Sequence, residues 1–193
     1  EHLEFMRTVD AVARENGSVL AALQPDGVAV FPAGDEYTPL WRKLAGDRRC
    51  ITFAQDAGEV RCESAQWQDD AWAVRIATPQ GSLATRLAIA GRHNVTNALA
   101  AVACALAAGV PLQVIAQGLA AFEPVKGRSR ALAVHCQGRA ITVVDDSYNA
   151  NPDSVRAAID VLATLPAPQW LVLGDMGEVG DQGPAFHAEV GAY

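Results

Sequence analysis

The sequence has no Cys-x-x-Cys pair, no long apolar run and no excess of basic residues. Its four cysteines, Cys50, Cys62, Cys104 and Cys136, are widely spaced. That spacing argues against the common zinc and dithiol motifs and leaves idle thiols in a reducing cytosol. No stretch approaches the roughly 20 apolar residues that cross a bilayer. No leader pattern opens the chain. The expectation is a cytoplasmic protein without membrane insertion. Lys and Arg number 15 against 22 Asp and Glu, a formal net charge of −7. Nucleic-acid binding needs a dense basic field, so it is not expected. Small anionic ligands remain open, because a local pocket can be positive on an acidic protein. Also missing are a G-x-x-x-x-G-K-[S/T] loop and a complete G-x-G-x-x-G. The chain itself therefore supplies no cradle for the β and γ phosphates of a nucleotide.

What is present is a hydrophobic half, 50% of the residues, enough for a real core. Residues 11–23 have helical spacing, with a break expected near Asn16-Gly17. Pro25-Asp26-Gly27 is a turn signal and residues 28–31 read as a buried strand. Residues 38–45 read as a helix capped by Asp35 or Thr38, and residues 50–53 as another strand. Helix alternating with apolar strand predicts an α/β fold with a mainly parallel sheet. Residues 72–77 and 83–89 alternate about a turn at 79–82, a hairpin that adds an antiparallel edge. Residues 94–108 form an Ala-rich helix stopped by Gly109 and Pro111, and residues 112–122 a second one. Residues 123–127 are a short Pro/Gly hinge, which divides the chain into domains 1–122 and 123–193. Beyond it, residues 131–136 and 140–144 read as strands, 152–165 as a helix and 170–173 as a buried strand. A last helix starts near Pro184. That is the beginning of a second α/β unit. Both ends read as interrupted patterns, so a piece of a longer protein is expected.

Three segments are more polar than a core or a plain turn requires. In Gly91-Arg92-His93-Asn94-Val95-Thr96-Asn97, a helix start offers free N–H donors and a positive dipole end to an anion or a polar ring. Asn94 and Asn97 share a helix face. A carboxamide donates and accepts at once, as an adenine edge requires. Simple capping by Asn94 accounts for the same residues. In Asp145-Asp146-Ser147-Tyr148-Asn149-Ala150-Asn151, a strand delivers a polar cluster to a helix start, where open α/β sheets bind ligands. Capping explains one of these residues and leaves Asp145, Asp146, Tyr148 and Asn149 without a reason. The third segment, Gly174-Asp175-Met176-Gly177-Glu178, follows a strand, and its glycines let a backbone approach a ligand. A plain connection explains it equally. Arg128 could clamp a phosphate, stack on a base, or be solvated.

Together these segments resemble the Mur ligase family over nearly the whole chain. The resemblance rests on GRHNVTNALAA from Gly91, KGR from Lys126, DDSYNANPDS from Asp145 and LGDMGEVG from Leu173. His2-Leu3-Glu4 looks like the end of the family's A-H-x-E segment. The resemblance implies that residues 1–122 are the latter part of a central ATPase domain and 123–193 the first half of a Rossmann-like C-terminal domain. The UDP-binding domain and phosphate loop would lie outside this chain, which is expected to be inactive alone. The implied activity is ATP-dependent amide formation through an acyl phosphate. It is closest to the member that adds D-Ala-D-Ala to UDP-MurNAc-tripeptide in bacterial peptidoglycan synthesis, a cytoplasmic monomer using ATP and Mg²⁺.

By motif, Asn94 and Asn97, with His93 beside them, would contact adenine. Arg128 and Asp146, as catalytic residues, would contact ribose and phosphates. Tyr148, Asn149 and Asn151 would lie near the dipeptide. His2 would be a catalytic Mg²⁺ ligand. One departure stands out: siblings place a lysine, carbamylated in many, where this chain has Asn16. A neutral carboxamide cannot replace that charge. Two alternatives stay open: a folylpolyglutamate synthase or another Mur enzyme, and a non-catalytic nucleotide-binding or interaction module.

Overall fold

A computed structural model describes residues 6–69, 71–165, 167–177 and 179–193. They form two compact units. One comprises Ala13–Ala88 and His93–Glu123. The other comprises Ile89–Arg92 and Pro124–Tyr193, with residues 6–12.

The first unit is built on one five-stranded sheet in the order β1 (Val28–Pro32), β2 (Arg49–Ala54), β3 (Val60–Gln68), β4 (Ala71–Thr78) and β5 (Gly81–Leu87). β1, β2 and β3 pair in parallel, and β3, β4 and β5 in antiparallel fashion. This is the expected parallel sheet with an antiparallel edge. Helix α2 (Thr38–Ala45) makes the crossover between β1 and β2 that parallel pairing requires. The short apolar runs fill the interior: Ala29, Phe31, Ile51, Val60 and Ile76 are all buried. Helix α3 (His93–Ala107) lies against the sheet through Val95, Leu99, Val102 and Leu106, a single helical stripe. Helix α4 (Leu112–Ala120) packs beside β5, where the Thr85 hydroxyl donates to the Ala116 carbonyl at 2.8 Å.

Three local readings of this unit need correction. Helix α1 (Val9–Ala22) runs unbroken through Asn16-Gly17. Gly17 is buried, and a Cβ there would lie 2.7 Å from Leu44 Cδ1 and 2.9 Å from Trp41 Cδ1. The glycine thus serves close packing of α1 on α2, which outweighs its low helix propensity. Trp41 Nε1 ties the pair by donating to the Ala13 carbonyl at 2.9 Å. Neither Asp35 nor Thr38 caps α2. The cap is Tyr37, with no side-chain cap bond. Asp35 Oδ1 instead accepts the Tyr37 N–H at 2.8 Å, and the Thr38 hydroxyl donates to the Pro32 carbonyl at 3.0 Å. Finally, β3 has no counterpart in the sequence reading. Only Val60 in it is buried, and cross-strand partners hold it instead. Trp67 meets Trp72 edge-on at 5.4 Å, and Arg75 Nε donates to Glu63 at 2.8 Å.

In the second unit, β6 (Arg130–Cys136) and β7 (Arg139–Asp145) form an antiparallel ribbon. Gln137 and Gly138 turn it with positive φ at both positions, 50° and 76°, as a two-residue hairpin needs. Helix α5 (Pro152–Ala163) and helix α6 (Gly183–Ala192) pack around Val155, Met176 and Val190. Arg156 on α5 bridges Asp153 at 3.0 Å and also Glu189 on α6. Residues 170–173, expected as a buried strand, are neither strand nor buried: Trp170 is 85% exposed and Val172 92%. A parallel strand exists only through the neighbours that take its backbone bonds, and none pairs with this segment among the described residues. No described helix is long and apolar enough to cross a membrane.

Candidate functional site

The start of α3 carries the first cluster. The helix begins at His93, so Asn94 sits inside the first turn and is not the cap. Asn94 is buried, at 9% exposure. Its Nδ2 lies 3.1 Å from His93 Nε2, and its Oδ1 accepts from Asn97 Nδ2 at 3.0 Å. A buried carboxamide thereby fixes the orientation of an exposed one. The first turn holds no acidic residue to offset the positive end of the helix. From the carboxyl end of β2, Gln55 Nε2 donates to Thr96 Oγ1 at 2.9 Å, joining the strand exit to the helix start. Gln55 was not singled out from sequence, and Thr96 entered only as part of the polar segment at the helix start. An isolated Gln after a strand carries no signal until its partner, 41 residues away, is known.

The second cluster joins the 126–129 loop to the exit of β7. Asp145 Oδ2 accepts the Gly127 N–H at 3.1 Å, and its Oδ1 accepts the Ser147 hydroxyl at 2.6 Å and N–H at 3.3 Å. Asp146 Oδ1 accepts the Ser129 N–H at 2.8 Å and hydroxyl at 3.2 Å. The Tyr148 N–H closes the pairing on the Gly127 carbonyl at 3.1 Å. Two turns in positive φ, Gly127 at 78° and Ser129 at 49°, make the loop fit. Above the Tyr148 ring lies the Arg128 guanidinium, 3.9 Å from the centroid. Ser129 is a second residue that sequence reasoning passed over.

Asn149 and Asn151 are accounted for locally. Asn149 Oδ1 accepts the N–H of Ala150 at 2.9 Å. Asn151 caps α5 in a reciprocal box: its Oδ1 accepts the Ser154 N–H at 2.9 Å, and its N–H donates to Ser154 Oγ at 2.9 Å.

The bonds from Ser147, chiefly its hydroxyl, hold the Asp145 carboxyl below its ordinary value of 3.8. The Gly127 N–H and the Lys126 charge act in the same direction. A depressed carboxyl contributes stability above the unfolded value, and that stability is lost as pH falls through the folded value. Protection of the Gly127 amide from hydrogen exchange should therefore drop as pH falls below about 4. Asp145→Asn should remove that pH dependence. An identical pH profile in wild type and variant would refute the assignment.

The third segment is anchored by a residue not foreseen. The Met176 N–H donates to His187 Nε2 at 3.1 Å, and His187 Nδ1 lies 2.7 Å from the Gly183 carbonyl, to which it donates. Asp175 Oδ1 is 3.0 Å from the same Nε2, with its side chain 95% exposed. Met176 is buried, whereas a Cβ on Gly174 or Gly177 would meet nothing within 4 Å.

His93, Asn94 and Asn97 thus form one group in the first unit. Arg128, Asp146 and Tyr148 form another in the second. His2 and Glu178 lie outside the described residues, and Asn16 is exposed on α1. Among the described residues no group of three or more His, Cys, Asp or Glu could hold a metal.

Comparison with known proteins matches these segments to one family. The model of the Mur ligase middle domain matches residues 1–105, and that of the Mur ligase glutamate ligase domain matches residues 128–193. The UDP-N-acetylmuramoyl-tripeptide–D-alanyl-D-alanine ligase of Escherichia coli K12 is 33% identical over 192 residues, covering 98% of this chain and 42% of that protein. A crystal structure of MurF from Acinetobacter baumannii superposes with a TM-score of 0.89 at 36% identity, over 98% of this chain and 41% of that one. MurF from Thermotoga maritima, solved in complex with ADP, has a TM-score of 0.82 over 99% of this chain and 43% of that one. At 22% identity, it shares the fold alone. The chain spans about two fifths of the length of these relatives. With both family models matched in chain order and the clusters of α3 and β7 falling within them, the chain belongs to the Mur ligase family.

Proposed function

We propose that this chain is part of an ATP-dependent amide ligase that joins D-Ala-D-Ala to UDP-MurNAc-tripeptide in peptidoglycan precursor synthesis. The observation that carries the nucleotide part is the Asn94–Asn97 pair: a buried carboxamide orienting an exposed one at a helix start with no acidic residue. That pair fits a base edge offering both a donor and an acceptor. Support for the substrate comes from the names of the relatives, alike over 98% of this chain.

In this reading His93, Asn94 and Asn97 orient the adenine. Arg128 offers its donor fork to phosphate oxygens. Asp146 spends Oδ1 on Ser129 and turns Oδ2 to a ribose hydroxyl. Tyr148, Asn149 and Asn151 lie on the dipeptide side, and the Asn151 oxygen is used in the cap of α5. Bound ATP would supply the phosphoryl group that activates the peptide carboxylate as an acyl phosphate. The chain's own part is positioning and charge stabilisation. His2 would be a ligand for Mg²⁺, and the described residues add no metal-ligating cluster of three or more His, Cys, Asp or Glu. A cytoplasmic monomer with no nucleic-acid partner completes the proposal.

The test is phosphate release by the full-length protein. Release should need ATP, the tripeptide precursor and D-Ala-D-Ala together. Release supported by a single amino acid in place of the dipeptide would overturn the reading in favour of a sibling ligase.

A further inference from the structure

The Tyr148 ring is 67% exposed, so core packing gives no reason for an aromatic residue there. Its close neighbour is the Arg128 guanidinium, 3.9 Å from the ring centroid. Among the described residues Arg128 makes no salt bridge. The two residues are held at this separation by backbone. The Arg128 N–H donates to the Val125 carbonyl at 3.1 Å, and the Tyr148 N–H donates to the Gly127 carbonyl at 3.1 Å. Bonds from Asp145 to Gly127 and from Asp146 to Ser129 fix the loop on both sides of Arg128.

We propose that Tyr148 is a positioning residue: its ring is the shelf that holds the Arg128 guanidinium ready for an anionic group of the nucleotide. The chemistry favours a ring over a carboxylate for this task. A carboxylate would fix the guanidinium by neutralising it and occupying two of its N–H donors. An aromatic face attracts the cation through its quadrupole and leaves the charge and all five in-plane donors for a phosphate. Ordering a long side chain before binding removes part of the entropy cost of binding. The assignment rests on the reading of Arg128 as a nucleotide ligand and adds what holds it in place.

A double-mutant cycle in the full-length enzyme tests it, with KM for ATP, KM for D-Ala-D-Ala and kcat read for each variant. Tyr148→Leu should raise KM for ATP about twofold to fivefold, the range set by losing a cation–π contact at an exposed site. Tyr148→Phe, which keeps the ring face, should recover most of that loss. Added to Arg128→Ala, Tyr148→Leu should cost less than a further twofold, because the shelf has nothing left to hold. Multiplying effects would overturn the proposal, and so would a rise confined to KM for the dipeptide. If Arg128→Ala leaves KM for ATP unchanged, the nucleotide reading itself falls, and this proposal with it. If that variant raises it and Tyr148→Leu does not, only the positioning role falls. Should Tyr148→Leu fail to fold, NMR of the wild type and Tyr148→Phe decides. The Arg128 δ protons should be shifted upfield by the ring in both, and ordinary shifts would refute the stacking.

Discussion

Gly127→Val in the full-length protein is expected to lower ligase turnover about 100-fold, the scale of loss when catalytic groups are displaced by about an ångström. Gly127 has φ of 78°, where an L-residue costs about 1–2 kcal/mol. A Cβ there would also lie 3.0 Å from the Tyr148 nitrogen and 3.2 Å from its Cβ. The first of these neighbours is backbone and cannot rotate away. To relieve the contact the loop must separate from the 145–148 segment. Separation breaks the Gly127 N–H bond to Asp145 and the Tyr148 N–H bond to the Gly127 carbonyl. Arg128, the next residue, leaves its place over the ring. Steady-state kinetics beside a thermal unfolding curve check this: turnover should collapse in a protein that still unfolds cooperatively. Turnover within threefold of wild type would show that the 126–129 loop does not position a catalytic group.

Asn94→Leu should raise KM for ATP about tenfold, equivalent to about 1.4 kcal/mol, while leaving the unfolding midpoint unchanged or slightly raised. The two readouts separate because the site is buried and the side chains are similar in size. An apolar side chain of similar size fills the same space, and two of the partners it leaves, His93 and Asn97, are exposed and can bond to water instead. What disappears is the acceptor that holds Asn97 Nδ2 at 3.0 Å. Asn97 is exposed, so without it the carboxamide turns freely and presents either end to the base. A midpoint that falls steeply with KM unchanged would mean that Asn94 is only a core residue.

The sequence was most legible where periodicity and local chemistry coincide. α3 shows a long apolar stripe ended by Gly109, and β4 and β5 show alternation about a turn. The cluster at Asp145–Tyr148 announced itself because it has more polar residues than a cap can use, whereas capping alone could account for Asn94 and Asn97 until the fold showed Asn94 inside the first turn. What escaped depends on partners far along the chain. β3 is polar and becomes a strand through pairing with β4, which no local pattern encodes. Gly17 looks like a helix breaker until Trp41 and Leu44 are placed against it. Residues 170–173 erred in the other direction, since an apolar run marks a strand only if neighbours complete the ladder. Asn151 shows how a motif residue can carry a structural task, capping α5, alongside any role at a substrate. Ser129 and His187 each hold a loop by one or two bonds, and single small or titratable residues give no sequence signal of that kind.

The most direct test of the central claim is the mass of the product made by the full-length protein from ATP, UDP-MurNAc-tripeptide and D-Ala-D-Ala. The expected product is heavier than the tripeptide precursor by the dipeptide less one water. A product extended by a single residue, or an unchanged precursor despite ATP consumption, would contradict it.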